Sequence, residues 1–442
     1  MSRMNQTHVL FFAPLFYPCQ HVGSHRSSQF CKYLSHYNYV VSVVTVDPYR
    51  NGWPSDQALN REIPTGTKVI NVPLLNLQKI KKTICALYGV FKFKKKVDDQ
   101  TQENKAEKHS KINTRSRFAE WFNWPDGLVW WIPQAIIMSL GAARQADVLY
   151  ASAPPHSALV AATIVSRMTH RPIVIDLRDP WTINEIRSDG PTRFHRYWDH
   201  FLERITFKSA SSIICNTEAV RLLYEKQYPK WREKFIVINN GFDPDGFQGV
   251  VPAAREDNRI RIGYFGKIYA GRDPGPLLSV VRKLVDSGRL SSESIEFVFY
   301  GASSKQIQGI AQKLNVTDLV AAHPSLPYTK ALCEMAACDV LLLINSPETD
   351  AMHIPAKLFE YMGLKKPILA LAGPGAVGDL MESHHFGVRI DPQEPERLEE
   401  TLLRFMENIR SGKRNQYLTD ELWRFSRPEQ TKQLVGLLDN AR

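Results

Sequence analysis

The residues of this chain best placed to do chemistry are cations and carboxylates at the ends of apolar runs. The most informative stretch is Met352-His-Ile-Pro355-Ala-Lys357-Leu-Phe-Glu360-Tyr-Met-Gly363. Pro355 suits the first turn of a helix. Leu358, Phe359 and Met362 would form its apolar face, while Lys357 and Glu360, three apart, project from nearly one side. Amides and the positive dipole end at such a helix start favour a phosphate. A carboxylate one turn in can accept two hydroxyl protons from a ribose. The alternative is a Lys–Glu pair on the surface.

Three further stretches carry charge or glycine at the same kind of position. In Gly263-Tyr-Phe-Gly266-Lys267-Ile-Tyr-Ala-Gly271-Arg272, Gly266 lets the chain turn at a strand end. Lys267 and Arg272, five apart on one loop, can converge on a phosphate. Fixed cations can neutralise the charge growing on a diphosphate leaving group without a metal. Ile175-Asp-Leu-Arg178-Asp179-Pro-Trp181 ends a predicted strand with two charges, where doubly wound sheets hold ligands; a local ion pair closing the loop is the other reading. The first strand-to-helix junction, Pro14 to Arg26, contains one glycine, Gly23. It is no dinucleotide fingerprint, but it offers a close backbone approach and helix-start amides, or simply a tight turn.

Positioning these groups requires strands that end where helices begin, and the hydropathy supplies them. Apolar runs at 9–13, 40–46, 69–72, 148–151, 173–176, 212–215 and 235–238 lack polar alternation, as expected of strands buried on both faces. Helical stretches at 26–36, 128–144, 157–170, 194–208 and 217–228 lie between them. A second series has strands at 260–265, 295–300, 340–344, 367–371 and 387–390. Its helices are 276–286, 305–314, 329–337, 356–362, 377–383 and 394–408. The polar stretch 250–258 reads as a linker. Alternation of this kind predicts α/β architecture: two Rossmann-like, doubly wound domains, 1–250 and 259–410, followed by a C-terminal segment, 411–442.

The 442 residues suffice for large cores without staples. Six cysteines show neither a C-x-x-C pair nor zinc-finger spacing, which fits buried thiols in a reducing compartment. No apolar run approaches the length of a spanning helix, and 9–16 reads as a buried strand rather than a signal peptide. The expectation is a cytoplasmic protein with at most peripheral membrane contact. The formal charge is +11, and 92–117 holds nine Lys/Arg against four Asp/Glu. With almost no apolar periodicity, that stretch reads as a mobile insert. Before it, Ile80, Ile84, Leu87 and Phe91 recur at helical spacing among lysines, and Trp121, Trp124, Trp130 and Trp131 follow. Such a region suits an anionic membrane surface or is a packed helix with a solvated charge run. No recognition-helix or aromatic-interleaved basic strand favours nucleic acid.

Taken in order, the Gly23 junction, D-V-L-Y-A-S-A-P-P-H-S-A (147–158), I-D-L-R-D-P-W (175–181), V-I-N-N-G-F-D-P-D (237–245), G-Y-F-G-K (263–267) and P-A-K-L-F-E-Y-M (355–362) resemble glycosyltransferase family 4. The resemblance spans the chain except 77–117. It implies the GT-B fold, with two domains facing a central cleft and a C-terminal segment crossing back to the first. It also implies retention of anomeric configuration and a nucleoside-diphosphate sugar donor. By motif match, Gly23, Gly266, Lys267, Arg272, Pro355, Lys357 and Glu360 would hold the donor. Arg178, Asp179 and Lys267 are the catalytic candidates, and neither metal nor resident cofactor is expected. In the family's usual E-x7-E the first Glu would fall on Met352, and Arg178-Asp179 stands where His-Asp is common. Both departures resemble a subgroup associated with surface polysaccharides. The expected reaction moves a sugar to a glycan or lipid-linked acceptor; a catalytically silent sugar-nucleotide binder or a nucleotide-sugar 2-epimerase are the alternatives.

Overall fold

The computed structural model describes residues 6–74, 124–183, 192–255, 257–268, 271–345, 351–413, 417 and 420–442. The basic stretch 92–117, its preceding helical pattern and Trp121 lie outside the described residues. The first half runs β1 (Thr7–Phe12), α1 (Val22–Leu34), β2 (Tyr39–Val46), β3 (Lys68–Val72), then α2 (Ile132–Gln145), β4 (Val148–Ala153) and α3 (Ser157–Thr169). It continues through β5 (Ile173–Leu177), α4 (Arg193–Ser209), β6 (Ser212–Cys215), α5 (Glu218–Gln227) and β7 (Phe235–Val237). These strands form one sheet in the order β3-β2-β1-β4-β5-β6-β7, with β1 to β5 parallel. Every residue of β4 and β5 is buried, which is why those runs carry no polar alternation.

In the second half come β8 (Ile260–Phe265), α6 (Gly275–Asp286), β9 (Ile295–Tyr300), α7 (Ser304–Lys313), β10 (Val320–His323), α8 (Tyr328–Ala337) and β11 (Val340–Ile344). After them follow α9 (Ala356–Gly363), β12 (Ile368–Leu371), α10 (Ala376–His384), β13 (Gly387–Ile390), α11 (Pro395–Arg410) and α12 (Arg427–Ala441). The sheet order is β10-β9-β8-β11-β12-β13, all parallel. Period-two alternation sorts its side chains into two cores. Ile262, Tyr264, Leu342 and Ile344 pack with α6 and α11, whereas Phe265, Val298, Leu341 and Leu343 pack with α8, α9 and α10.

By contact the chain divides into two compact units, 1–213 with 440–442, and 214–439. The division falls inside β6, although the sheet order keeps β6 and β7 with the first seven strands. Three expectations shift. The strand β10 is an addition: its four residues are only half-buried, so V-A-A-H lacks the apolar density that marks the others. Helix α1 begins at Val22 rather than Arg26, because His21 caps it by accepting Gly23 N–H at 3.0 Å. Pro355 sits at the cap of α9, just before its first turn.

Candidate functional site

In a doubly wound sheet the chain leaves its first strand toward one edge and later returns to build the other. The loops on either side of that reversal diverge and open a crevice at the strands' carboxyl ends. The six-stranded sheet reverses between β8 and β11, the seven-stranded sheet between β1 and β4. The candidate residues gather at these two points.

At the β8/β11 point the central group is Lys357, one residue into α9. Its ammonium is buried, has no hydrogen-bond partner among the described residues and lies 4.3 Å from the centre of the Tyr264 ring. A cation over an aromatic face keeps some electrostatic compensation without spending a donor. Burial, then the positive charge of Arg272, pulls the amine down to about 8 against the opposing pull of Glu360. Gly266 makes this arrangement possible. Its φ of 143° suits glycine, and a Cβ there would come 2.7 Å from Lys357 Nζ. Its N–H is held by Tyr300 O at 2.8 Å.

Glu360, one turn along α9, bonds the Tyr328 hydroxyl, and burial holds its carboxyl above the usual range against the pull of Lys357. Among the described residues no side chain caps α9; the Leu358 N–H bonds Pro355 O at 3.0 Å, which leaves the amides of Ala356 and Lys357 at the helix start. Lys357, Arg272, Glu360 and Gly266 are therefore one cluster. Lys267 contributes its backbone carbonyl to Tyr264 Oη at 3.0 Å while its side chain is exposed. Met352 O accepts Thr217 Oγ1 at 3.0 Å.

One residue of this crevice was not among those singled out from the sequence. Asn345 follows directly on β11, its backbone N–H bonded to Leu371 O at 3.0 Å. It is 4% exposed, and neither its amide nitrogen nor its oxygen finds a partner among the described residues. The signal was available: V-L-L-L-I ends abruptly in an amide, at the carboxyl end of a central strand. Buried polar atoms left unpaired are rare and costly.

At the β1/β4 point Arg178 spans the two loops. Its guanidinium donates to Gly23 O at 2.5 Å and to Pro154 O, while its own N–H bonds Ala153 O at 2.8 Å. Gly23 is required because a Cβ there would collide with that guanidinium and come 2.8 Å from Leu15 Cδ1. Arg178 thus works as a brace. Asp179 is half-buried beside it; burial pulls the Arg178 guanidinium below its ordinary value, against the opposing charges of Asp176 and then Asp179. Burial and the nearby Arg178 push His21 below the ordinary histidine value.

Behind this point lies a buried network that the motif reading did not assemble. Arg26 forks onto Asp176, Nε to Oδ2 at 2.8 Å and Nη2 to Oδ1 at 2.9 Å, with 2% and 0% of the two side chains exposed. Tyr150 Oη and Ser152 Oγ donate to the same carboxylate at 2.5 and 3.2 Å. The guanidinium stacks 5.0 Å from the Phe30 ring. Helix α1, and with it Gly23, is thereby tied to β4 and β5.

Comparison with known proteins fits this picture. Residues 97–245 match the model of Glycosyltransferase Family 4. No curated protein matches the chain. Among solved structures, a glycosyltransferase from Rickettsia africae superposes with a TM-score of 0.62 at 11% identity, over 99% of both chains. Alr3699/HepE from Anabaena, in complex with UDP and glucose, gives 0.58 at 16%, over 98% of this chain and 99% of that one. WaaG, a glycosyltransferase involved in lipopolysaccharide biosynthesis, gives 0.55 at 16%, over 97% and 99%. The fold is GT-B, and with the family match the chain is a glycosyltransferase of GT-B type. The family whose model matches 97–245 is the one that the motifs resemble, glycosyltransferase family 4.

Proposed function

We propose that this protein is a retaining glycosyltransferase that uses a nucleoside-diphosphate sugar and acts on a glycan or lipid-linked acceptor in surface polysaccharide synthesis. The observation that carries the reading is the buried Lys357 ammonium at the β8/β11 reversal, without a hydrogen-bond partner among the described residues, beside Arg272 and the start of α9. A cation kept dry, with only a ring face and the pull of Glu360 to offset its burial, is costly; a diphosphate would supply a hydrogen-bond acceptor. Lys357 and Arg272 would neutralise charge as the sugar–oxygen bond breaks, with Lys267 reaching in from the same loop. Glu360 would accept the ribose hydroxyls, and Asn345 offers both a donor and an acceptor for the rest of the donor. Arg178 is a positioning residue for the Gly23 turn; Asp179 remains the candidate carboxylate on that side. Structural neighbours described with UDP and with lipopolysaccharide synthesis favour the same donor and acceptor classes.

Incubation with a panel of UDP- and GDP-sugars should give slow donor hydrolysis, and transfer when a lipid-linked glycan is added. Hydrolysis should persist in a chelator, because protein cations take the place of a metal. Silence with every donor sinks the reading. Tight donor binding without turnover would select the silent binder, a reading favoured by Met352 standing where the family usually has a carboxylate.

A further inference from the structure

Helix α4 carries a surface that the sugar-nucleotide site does not use. Phe194, Tyr197 and Phe201 recur along it at three- and four-residue spacing and stand 51%, 67% and 41% exposed. Trp198 lies among them, its ring edge-on at 6.0, 6.1 and 5.2 Å respectively. These contacts make the rings one ridge rather than separate side chains. Beside the ridge Arg193, Arg196, Arg204 and Lys208 are all exposed.

The two carboxylates of the helix are turned to other work. Asp199, half-buried, accepts Trp181 Nε1 at 2.9 Å. Glu203, with no exposed surface, accepts Thr182 N–H at 2.9 Å and Thr182 Oγ1 at 2.7 Å. Both are held by the turn that follows β5. The outward face of α4 is consequently aromatic and cationic, with its acids withdrawn.

We propose that this face docks the protein on an anionic lipid bilayer, lying in the headgroup layer. Aromatic rings with amphipathic edges settle at the acyl boundary, and flanking Arg and Lys meet lipid phosphates. A second copy of the chain is a poor occupant, since two-fold pairing of this face would set its cations against each other. The proposal deepens the lipid-linked-acceptor reading by naming the surface that would bring the enzyme to its acceptor. Its test is separable from that reading.

The full-length protein would be co-sedimented with phosphatidylcholine vesicles, with and without phosphatidylglycerol. It should pellet only with the anionic vesicles. Two double variants, Tyr197→Ser with Phe201→Ser and Arg193→Ser with Arg204→Ser, should each lower the bound fraction roughly tenfold. The charge variant alone suffices should the aromatic one fail to fold, as judged by circular dichroism. Undiminished pelleting of the variants would overturn the proposal, as would failure of the parent protein to bind anionic vesicles. So would a dimer in sedimentation velocity that the aromatic variant abolishes, or preferential capture of a single-stranded oligonucleotide. Donor hydrolysis in vesicle-free buffer should be unchanged in both variants; its absence from the parent protein would count against sugar transfer and leave the docking surface standing.

Discussion

A lysine ammonium buried with no hydrogen-bond acceptor among the described residues costs stability. Replacing Lys357 by Met keeps the stem packed against Tyr264 and removes the charge. We expect Lys357→Met to raise stability by on the order of 1–3 kcal/mol, as lost desolvation cost, while lowering donor affinity at least tenfold. Thermal unfolding and calorimetric titration with a nucleotide sugar would read the two effects. A loss of both would mean that the ammonium is structural. The pH dependence has a definite sign. Lys357 is protonated below about 8 and neutral above it. A diphosphate needs the protonated form, so donor affinity should fall as pH rises from 7 to 9. Lys357→Arg, which stays charged, should flatten that fall. A similar slope in both proteins would remove Lys357 from the anion site. Glu360→Ala should weaken nucleotide binding with the fold intact; unchanged affinity would take Glu360 out of the site. Part of this cluster was legible because Lys357 and Glu360 are one helical turn apart and Gly266 directly follows a strand, whereas the meeting of the two segments is tertiary. Arg178 was harder to read. Its type and place fit a ligand, and only tertiary structure reveals two backbone carbonyls already on its guanidinium.

At the scale of elements, the strands announced themselves because burial on both faces requires unbroken apolar runs. The half-buried β10 lacked that mark. Helix starts were less visible. Nothing in H-V-G-S-H-R says that His21 will cap α1, since the cap depends on which way the imidazole turns. The link from α1 to β5 was invisible for another reason: Arg26 and Asp176 are 150 positions apart. Burial by itself would pull the Arg26 guanidinium down, but the Asp176 carboxylate beside it more than compensates and holds it above its ordinary value. Burial and the same carboxylate raise Tyr150. Asp176→Asn leaves a guanidinium buried without its counter-charge, and about 3–5 kcal/mol of stability should be lost. Denaturant unfolding would measure it. A loss below about 1 kcal/mol would show that water reaches the pair.

For the molecule as a whole, the surplus of eleven positive charges has two different consequences, and ionic strength separates them. The cations on the outer face of α4 are exposed, so their attraction to a charged surface is screened beyond about 8–10 Å at physiological salt. Lys357 is shielded by protein, and an anion seated on it would be screened much less. Raising salt from about 0.05 to about 0.5 M should therefore abolish most binding to anionic vesicles while changing donor affinity only a few-fold. The comparison is internal, because both measurements use one protein in one buffer series. Equal collapse of the two would place the donor's phosphates on exposed cations such as Lys267 rather than at the buried ammonium. Salt-resistant vesicle binding would assign the aromatic ridge, with no help from the arginines, as the sole source of attachment. On the proposed reading, charge at these two depths would let one chain hold a soluble donor tightly and a membrane surface reversibly.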